Sequence, residues 1–210
     1  MSDEVTAPGC NDLKYLPQDG TVATNSQMRD RLEYSIVWLL AKLVGVMPRA
    51  LARGMCMGLG LLIYVVHPRL RRVGMRNLEM VFPEKSKKEK KKILRTVFTG
   101  LGRQLAEVCR LPRYNSANIG TLAVYDGFEN FSAALARGKG VIFLTAHVGG
   151  WELGSFFHAL QGHPMNIVMR PLDNKYLDAL VDRYRTLYGN KTFAKQDAAR
   201  AILSALKRGE

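Results

Sequence analysis

Long apolar runs in the first third of the chain give way to short alternating segments after its middle. Residues 36–47 and 54–66 are almost wholly apolar, and Pro48 separates them. Each run has about a dozen residues, or about 18 Å of helix, which is short of the ~30 Å hydrocarbon core. The pattern predicts a hairpin of two short helices in or dipping into a membrane face. A single tilted span and two core helices of a soluble protein remain alternatives.

A long amphipathic helix is predicted over residues 83–111. Ser86 and Glu89 have the S-x-x-E spacing of a capping box, and Pro112 ends the pattern. Apolar residues then recur at steps of three and four, as one helix face requires. The first turns carry a run of lysines, which favours a solvated face over a dock for an anionic partner.

From Gly120 onward, strand-like and helix-like segments alternate. The predicted strands are 121–125, 141–145, 166–170 and 191–194. The predicted helices are 129–137, 151–160, 174–188 and 198–207. Alternation of this kind implies right-handed crossovers. The predicted fold is therefore α/β, a largely parallel sheet with helices on both faces, preceded by apolar membrane-associating helices.

Three segments follow from these patterns. Residues 1–29 are rich in Pro, Gly, Ser and Thr and predict a disordered tail. Residues 30–76 hold the apolar helices and a basic cluster, and residues 77–210 hold the α/β domain. The cluster of arginines directly after an apolar run favours the cytoplasmic side of a membrane and attracts anionic head groups.

The charge balance predicts an anionic partner. The formal net charge is +13, from 31 Lys and Arg against 18 Asp and Glu. Nucleic acid, anionic lipid and an acidic carrier protein all fit this balance. No nucleic-acid motif or basic–aromatic strand is found, so no nucleic acid is expected. Cys10, Cys56 and Cys109 form no C-x-x-C pair, which predicts free thiols, a reducing compartment and no metal site.

The candidate chemistry lies between the second predicted strand and the helix after it. His147 follows the apolar run, and Glu152 follows five positions later in the first helical turn. The carboxylate can hold one imidazole nitrogen while the other takes a proton from a hydroxyl. Gly149 and Gly150 let the backbone approach a substrate, and the amides that begin the helix can face an oxyanion. The structural alternative is a loop or capping histidine.

Further along, Arg170 follows an apolar strand at the edge that His147 occupies. Its planar fork suits phosphate oxygens. Arg183 and Arg185 come late in a predicted helix, where a cation interacts favourably with the helix dipole. Asn174 precedes that helix and suits an N-cap.

Ordered motifs along the chain resemble the lysophospholipid acyltransferase superfamily, in particular the late acyltransferases of lipid A biosynthesis. The similar stretches are Arg76-Asn77-Leu78 with Phe82-Pro83, Gly127-Phe128-Glu129-Asn130, Gly138-Lys139-Gly140-Val141, His147 to Glu152, and Arg170-Pro171-Leu172-Asp173-Asn174.

The resemblance implies an O-acyltransferase that needs no cofactor and no acyl-enzyme. It implies an acyl carrier protein or CoA thioester as donor, a membrane glycolipid as acceptor, and the cytoplasmic face of a bacterial inner membrane. It places Asn174 and one arginine of the helix after it, Arg185 rather than Arg183, in the active site. The family continues beyond a Gly-Glu like Gly209-Glu210, so we expect an incomplete domain. A catalytically silent membrane-associated homologue and a basic nucleic-acid binder remain alternatives.

Overall fold

The computed structural model describes residues 25–195 and 198–210, so most of the predicted tail, residues 1–24, lies outside the described residues. The described part is mostly helical. Its helices are α1 (Asn25–Val46), α2 (Arg49–Val66), α3 (Pro68–Val81), α4 (Lys87–Arg110), α5 (Phe128–Leu135), α6 (Trp151–Leu160), α7 (Lys175–Arg185) and α8 (Ala198–Lys207). Two short 3₁₀ helices, Leu111–Arg113 and Ile119–Thr121, follow α4.

Helix α4 is the centre of the amino-terminal bundle and contacts α1, α2 and α3. Its predicted capping box is confirmed: the Ser86 hydroxyl accepts from the Glu89 amide, and the Ser86 amide donates to the Glu89 carboxylate at 2.8 Å. Two orphan amides at the helix start are thereby satisfied. Pro112 lies in the 3₁₀ helix directly after α4, as the sequence predicts.

Glycines bring α2 and α4 close together. A Cβ on Gly60 would overlap the Phe98 carbonyl oxygen, and a Cβ on Gly102 would overlap the Cys56 carbonyl oxygen. Gly54 and Gly58 have the G-x-x-x-G spacing, which predicts close packing of helices, but a Cβ on either glycine would meet open space. The close approach therefore uses a different face of α2 from the one that the motif indicates.

Small side chains fill the space where α1, α2 and α4 meet. The buried cluster consists of Ala41, Val44, Ala52, Cys56, Ala106 and Cys109. Cys56 and Cys109 are free and buried, and burial raises the pKa of the Cys109 thiol to about 11. Small residues let the backbones of neighbouring helices approach each other. Each of these helices therefore buries only a narrow stripe of its surface in this cluster.

The remaining faces of α1 and α2 are apolar and exposed. Leu39 is 53% exposed, Leu62 is 54% exposed and Val66 is 63% exposed. By length and composition, α2 is the one helix in the described residues that is long and apolar enough to cross a membrane. It starts at Arg49 and runs for 18 residues, or about 27 Å. The predicted length of about a dozen residues was therefore too short.

Within the described ranges the sheet has two strands, β1 (Asn166–Met169) and β2 (Lys191–Ala194), which pair in parallel with Asn166 opposite Lys191. Helix α7 connects them and α8 packs against both. A second buried cluster joins the 3₁₀ helices to α6 through Leu111, Tyr114, Ile119, Phe156 and Phe157. The predicted helices over residues 129–207 are confirmed to within a few residues at their ends.

The predicted strands over 121–125 and 141–145 are wrong. Residues 119–121 form a 3₁₀ helix, and residues 141–146 have no strand partner in the part of the chain that the structure describes. A strand requires backbone pairing with a neighbour, which an apolar run alone does not provide. Leu144 is fully exposed and Ile142 is 71% exposed, so this run is not buried. The sequence predicts a largely parallel sheet with helices on both faces, whereas the described residues form a two-stranded parallel sheet.

Candidate active site

The strongest polar contact near the predicted site joins Glu152 to Arg185. Glu152 lies in the first turn of α6, and Arg185 is the last residue of α7. Arg185 Nε donates to Glu152 Oε2 at 2.9 Å, and Nη2 donates to Oε1. The two side chains are 18% and 20% exposed. The hydrogen bond that Arg185 donates to Glu152 raises the pKa of Arg185 above its usual value, so this guanidinium stays charged.

This pair lies at the carboxyl end of β1. Arg185 Nη1 approaches the sulfur of Met169 at 3.1 Å, and Met169 is the last residue of that strand. Sites in parallel α/β folds are built outside the carboxyl ends of strands. The sequence predicts this edge as the site, and two of the predicted side chains meet there.

His147 lies on the loop before α6 and is exposed. Its ring lies beside the indole of Trp151, with centroids 5.1 Å apart and an interplanar angle of 55°. In the described residues no hydrogen bond or ion pair joins His147 to Glu152, and both oxygens of that carboxylate bond to Arg185. The orienting role of Glu152 toward His147 remains a prediction.

The two glycines give the turn into α6. Gly149 has a φ of +59°, a conformation that residues with a Cβ rarely adopt, and its carbonyl accepts from the Gln104 amide. Gly150 is the N-cap of α6 and provides no side-chain acceptor. The first amides of α6 are therefore open toward the loop that carries His147.

Asn190 supports the site, and the sequence did not predict it. Its side chain is buried and donates to the carbonyls of Arg185 at 3.1 Å and Ser155 at 3.3 Å. Its Oδ1 accepts from the Met165 amide at 2.8 Å. One amide thus joins α6, the end of α7 and the entry to β1. The Gly189-Asn190 turn before β2 was its only sequence signal.

The other predicted residues are placed apart from this pair. Arg170 is exposed and donates to Asp173 at 3.1 Å. Asn174 caps α7, accepting from the Tyr176 amide at 3.0 Å, and its Nδ2 donates to Glu33 Oε2 at 3.1 Å. The N-cap alternative for Asn174 is therefore what the structure shows. Arg183 lies in the last turn of α7.

In the described ranges 25–195 and 198–210, no group of three His, Cys, Asp or Glu side chains is placed to hold a metal ion. The Glu152–Arg185 pair offers an anchored cation, and the His147 loop offers an accessible imidazole. The amides of α6 add donors for developing negative charge. These parts suit proton transfer from a hydroxyl with stabilisation of an oxyanion.

Comparison with known proteins identifies the family. Residues 23–210 match the family model described as bacterial lipid A biosynthesis acyltransferase. The chain belongs to this family. Its relatives include the lipid A biosynthesis palmitoleoyltransferase of Escherichia coli (strain K12), 26% identical over 180 residues that cover 86% of this chain and 53% of the relative.

The lipid A biosynthesis lauroyltransferase of the same strain is 28% identical over 179 residues, covering 85% of this chain and 56% of the relative. The corresponding myristoyltransferase is 23% identical over 139 residues, covering 66% of this chain and 43% of the relative. The chain spans about half the length of the curated relatives it matches. The resemblance drawn from the ordered motifs is confirmed at the level of the family.

Proposed function

We propose that the chain transfers a fatty acyl group from an acyl carrier protein or CoA thioester to a hydroxyl of a membrane glycolipid of the lipid A precursor type. The observation that carries this proposal is the Glu152–Arg185 pair at the carboxyl end of β1, with His147 on the loop directly before it. Family membership supports the reaction class, because the relatives are named as acyltransferases.

In the proposed mechanism His147 takes the proton of the acceptor hydroxyl, and the oxygen attacks the thioester carbonyl. The C–O bond forms, the tetrahedral oxyanion collapses, and the thiolate leaves and takes the proton from His147. Amides of α6 and a guanidinium stabilise the oxyanion. Arg185 is the guanidinium bonded to Glu152, and Arg170 is exposed enough to meet phosphate oxygens of a substrate.

Glu152 has a second task in this proposal. A carboxylate oxygen accepts more than one hydrogen bond, so bonds to Arg185 leave capacity for an imidazole N–H. His147 is exposed and lies on the loop directly before the helix that carries Glu152, so a change of its side-chain rotamer is the movement that this task requires. Catalytic hydrogen bonds are often long or misaligned before substrate binds.

The surface of the chain supports an anionic membrane and an acidic donor as partners. The exposed apolar faces of α1 and α2 suit a bilayer, and we propose the cytoplasmic face of the inner membrane as the location. Lysines in the first turns of α4 are exposed, which suits an acidic carrier. The exposed lysines are Lys87, Lys88, Lys91 and Lys92.

The reaction class is tested by thiol release. Detergent-solubilised protein is incubated with acyl carrier protein or CoA thioesters, with and without a crude bacterial glycolipid extract. An acyltransferase releases thiol only when the acceptor extract is present. Equal release with and without extract would indicate a thioesterase. No release with either donor would contradict activity of this chain and favour the catalytically silent homologue.

A further inference from the structure

Two arginines bind one carboxylate where α2 and α4 meet, and two more line the cavity beside it. Glu107 Oε1 accepts from Arg49 Nε at 3.1 Å and from Arg53 Nε at 2.6 Å. Arg110 and Arg113 lie on the same side, at the end of α4 and just beyond it. The cluster therefore has one carboxylate and four guanidinium groups, which gives it a local excess of positive charge. Such a cluster attracts an anion.

A cavity opens beside this cluster. Its volume is about 370 Å³, within the range of small-molecule sites. Three of its seven lining residues are arginines, and among the described residues no acidic side chain lines it. The lining residues are Arg49, Arg110, Arg113, Tyr114, Asn118, Thr121 and Leu122.

Arg110 is the member of the cluster that has a buried donor without a partner in the described residues. The residue is only 9% exposed, and its buried Nε has no hydrogen-bond partner in the part of the chain that the structure describes. Native proteins rarely leave a buried donor unpaired, and one on a cation is especially costly. An anion in the cavity would supply negative charge beside this guanidinium.

Arg110 and Arg113 also bind backbone carbonyls at the end of α1, but these bonds use only some of their N–H donors. Arg113 Nη1 donates to the carbonyls of Gly45 at 3.2 Å and Val46 at 2.9 Å, and Arg110 Nη1 donates to the Met47 carbonyl. These bonds close the end of α1. They use one nitrogen of each guanidinium, which carries five N–H donors. The start of α2 adds positive potential, because its N-cap Pro48 provides no side-chain acceptor.

We propose that this cavity binds a phosphate group. Guanidinium N–H groups match phosphate oxygens, and three arginines line one cavity. The exposed apolar residues Val46 and Leu51 flank the same turn, so the cavity borders the apolar surface of α1 and α2. That position suits the phosphate of a lipid head group, and a soluble phosphate ester offers the same chemistry. The inference holds whether or not His147 acts as a base.

The test titrates the full chain in neutral detergent micelles by calorimetry. One arm adds phosphatidic acid in mixed micelles, and the other adds glycerol phosphate, with inorganic sulfate as a charge control. Each arm compares wild type with Arg49→Gln and with Arg95→Gln. Arg49→Gln leaves Glu107 its bonds to Arg53 and Tyr114, so the carboxylate is not left without a partner. Arg95 is exposed on α4, outside the cavity, and loses the same charge.

The proposal predicts saturable binding in at least one arm, weakened about tenfold or more by Arg49→Gln and less than about twofold by Arg95→Gln. The arm with the tighter binding identifies the source, lipid or soluble ester. Equal weakening by both variants would show general charge attraction and overturn the proposal. No saturable binding in either arm, or unchanged binding by Arg49→Gln with retained helical circular dichroism, would also overturn it.

Discussion

At the scale of single residues, the candidate site depends on a two-point contact between Glu152 and Arg185. Two side chains from the ends of different helices meet with both carboxylate oxygens used. Asn190 then fixes the carbonyl of Arg185 itself. This arrangement holds one cation at the edge of the sheet with little freedom, which suits stabilisation of charge that develops during a reaction.

Replacing Arg185 by lysine tests this contact. Lysine keeps the charge but lacks the planar fork, so one of the two hydrogen bonds is lost. We expect the free energy of unfolding to fall by about 1–3 kcal/mol, read from urea denaturation in detergent. Arg200→Lys, at an exposed position on α8, is the matched control and should have no effect. Equal losses from both changes would show that the fork contributes nothing.

Glu107 makes stability depend on pH. Burial opposes its ionisation, but the hydrogen bond from Tyr114 and the charges of Arg49 and Arg53 outweigh it and lower its pKa below the usual 4.5. A depressed pKa stabilises the fold above the unfolded value and loses that effect as pH falls through the folded value.

We therefore expect wild-type stability to decline below about pH 4.5, and Glu107→Gln to reduce stability at pH 7 and flatten this decline. Thermal midpoints between pH 3 and pH 7, by circular dichroism, provide the measurement. Glu79→Gln, an exposed change on α3, should follow the wild-type profile. A Glu107→Gln profile parallel to wild type would contradict the assignment.

At the scale of elements, the sequence predicted helices well and strands only where a partner exists. The period of apolar residues and the Ser86–Glu89 box define α4, because both are local properties. The strands over 166–170 and 191–194 form because they pair with each other. The run over 141–145 is similarly apolar but has no partner among the described residues, and pairing is a property of the whole fold.

The same limit applies to the site. The H-x-x-x-x-E spacing placed His147 and Glu152 at one helix start, which α6 confirms. The contact with Arg185 joins residues 33 positions apart, so spacing alone could not reveal that Glu152 has this partner. Family resemblance, rather than periodicity, pointed to Arg185. Asn190 had no chemical signature that distinguishes it from an ordinary turn residue.

The approach of α2 to α4 provides a prediction at this scale. Gly102→Ala places a methyl group against the Cys56 carbonyl, so we expect a loss of about 1–3 kcal/mol in stability. Gly100→Ala, two residues away on the same helix, meets no atom and should gain up to about 1 kcal/mol from helix propensity. Opposite signs in urea unfolding are expected. A loss of similar size for both would contradict the packing.

At the scale of the whole molecule, charge and apolar surface act together. A net charge of +13 alone would serve nucleic acid as well as lipid. The exposed apolar residues of α1 and α2 distinguish the two partners, because a bilayer buries them and nucleic acid does not. We therefore expect the proposed membrane association to have an electrostatic part that salt screens and an apolar part that salt does not.

Vesicle flotation separates these parts. We expect the chain to bind anionic vesicles and to retain binding at about 1 M salt, where the Debye length is about 3 Å. Leu62→Glu on α2 should weaken the salt-resistant part, while Leu203→Glu on α8, also exposed, should not. Complete loss of binding in high salt, with equally strong binding to RNA in low salt, would favour the nucleic-acid binder.

We propose His147 as the base of an acyl transfer. The decisive measurement is mass-spectrometric detection of acylated glycolipid after incubation of the chain with thioester and extract. His147→Ala is compared with His67→Ala, an exposed histidine at the start of α3. We predict product with wild type and His67→Ala, and a loss of about 10²-fold or more with His147→Ala. Equal product from all three would contradict the assignment of His147.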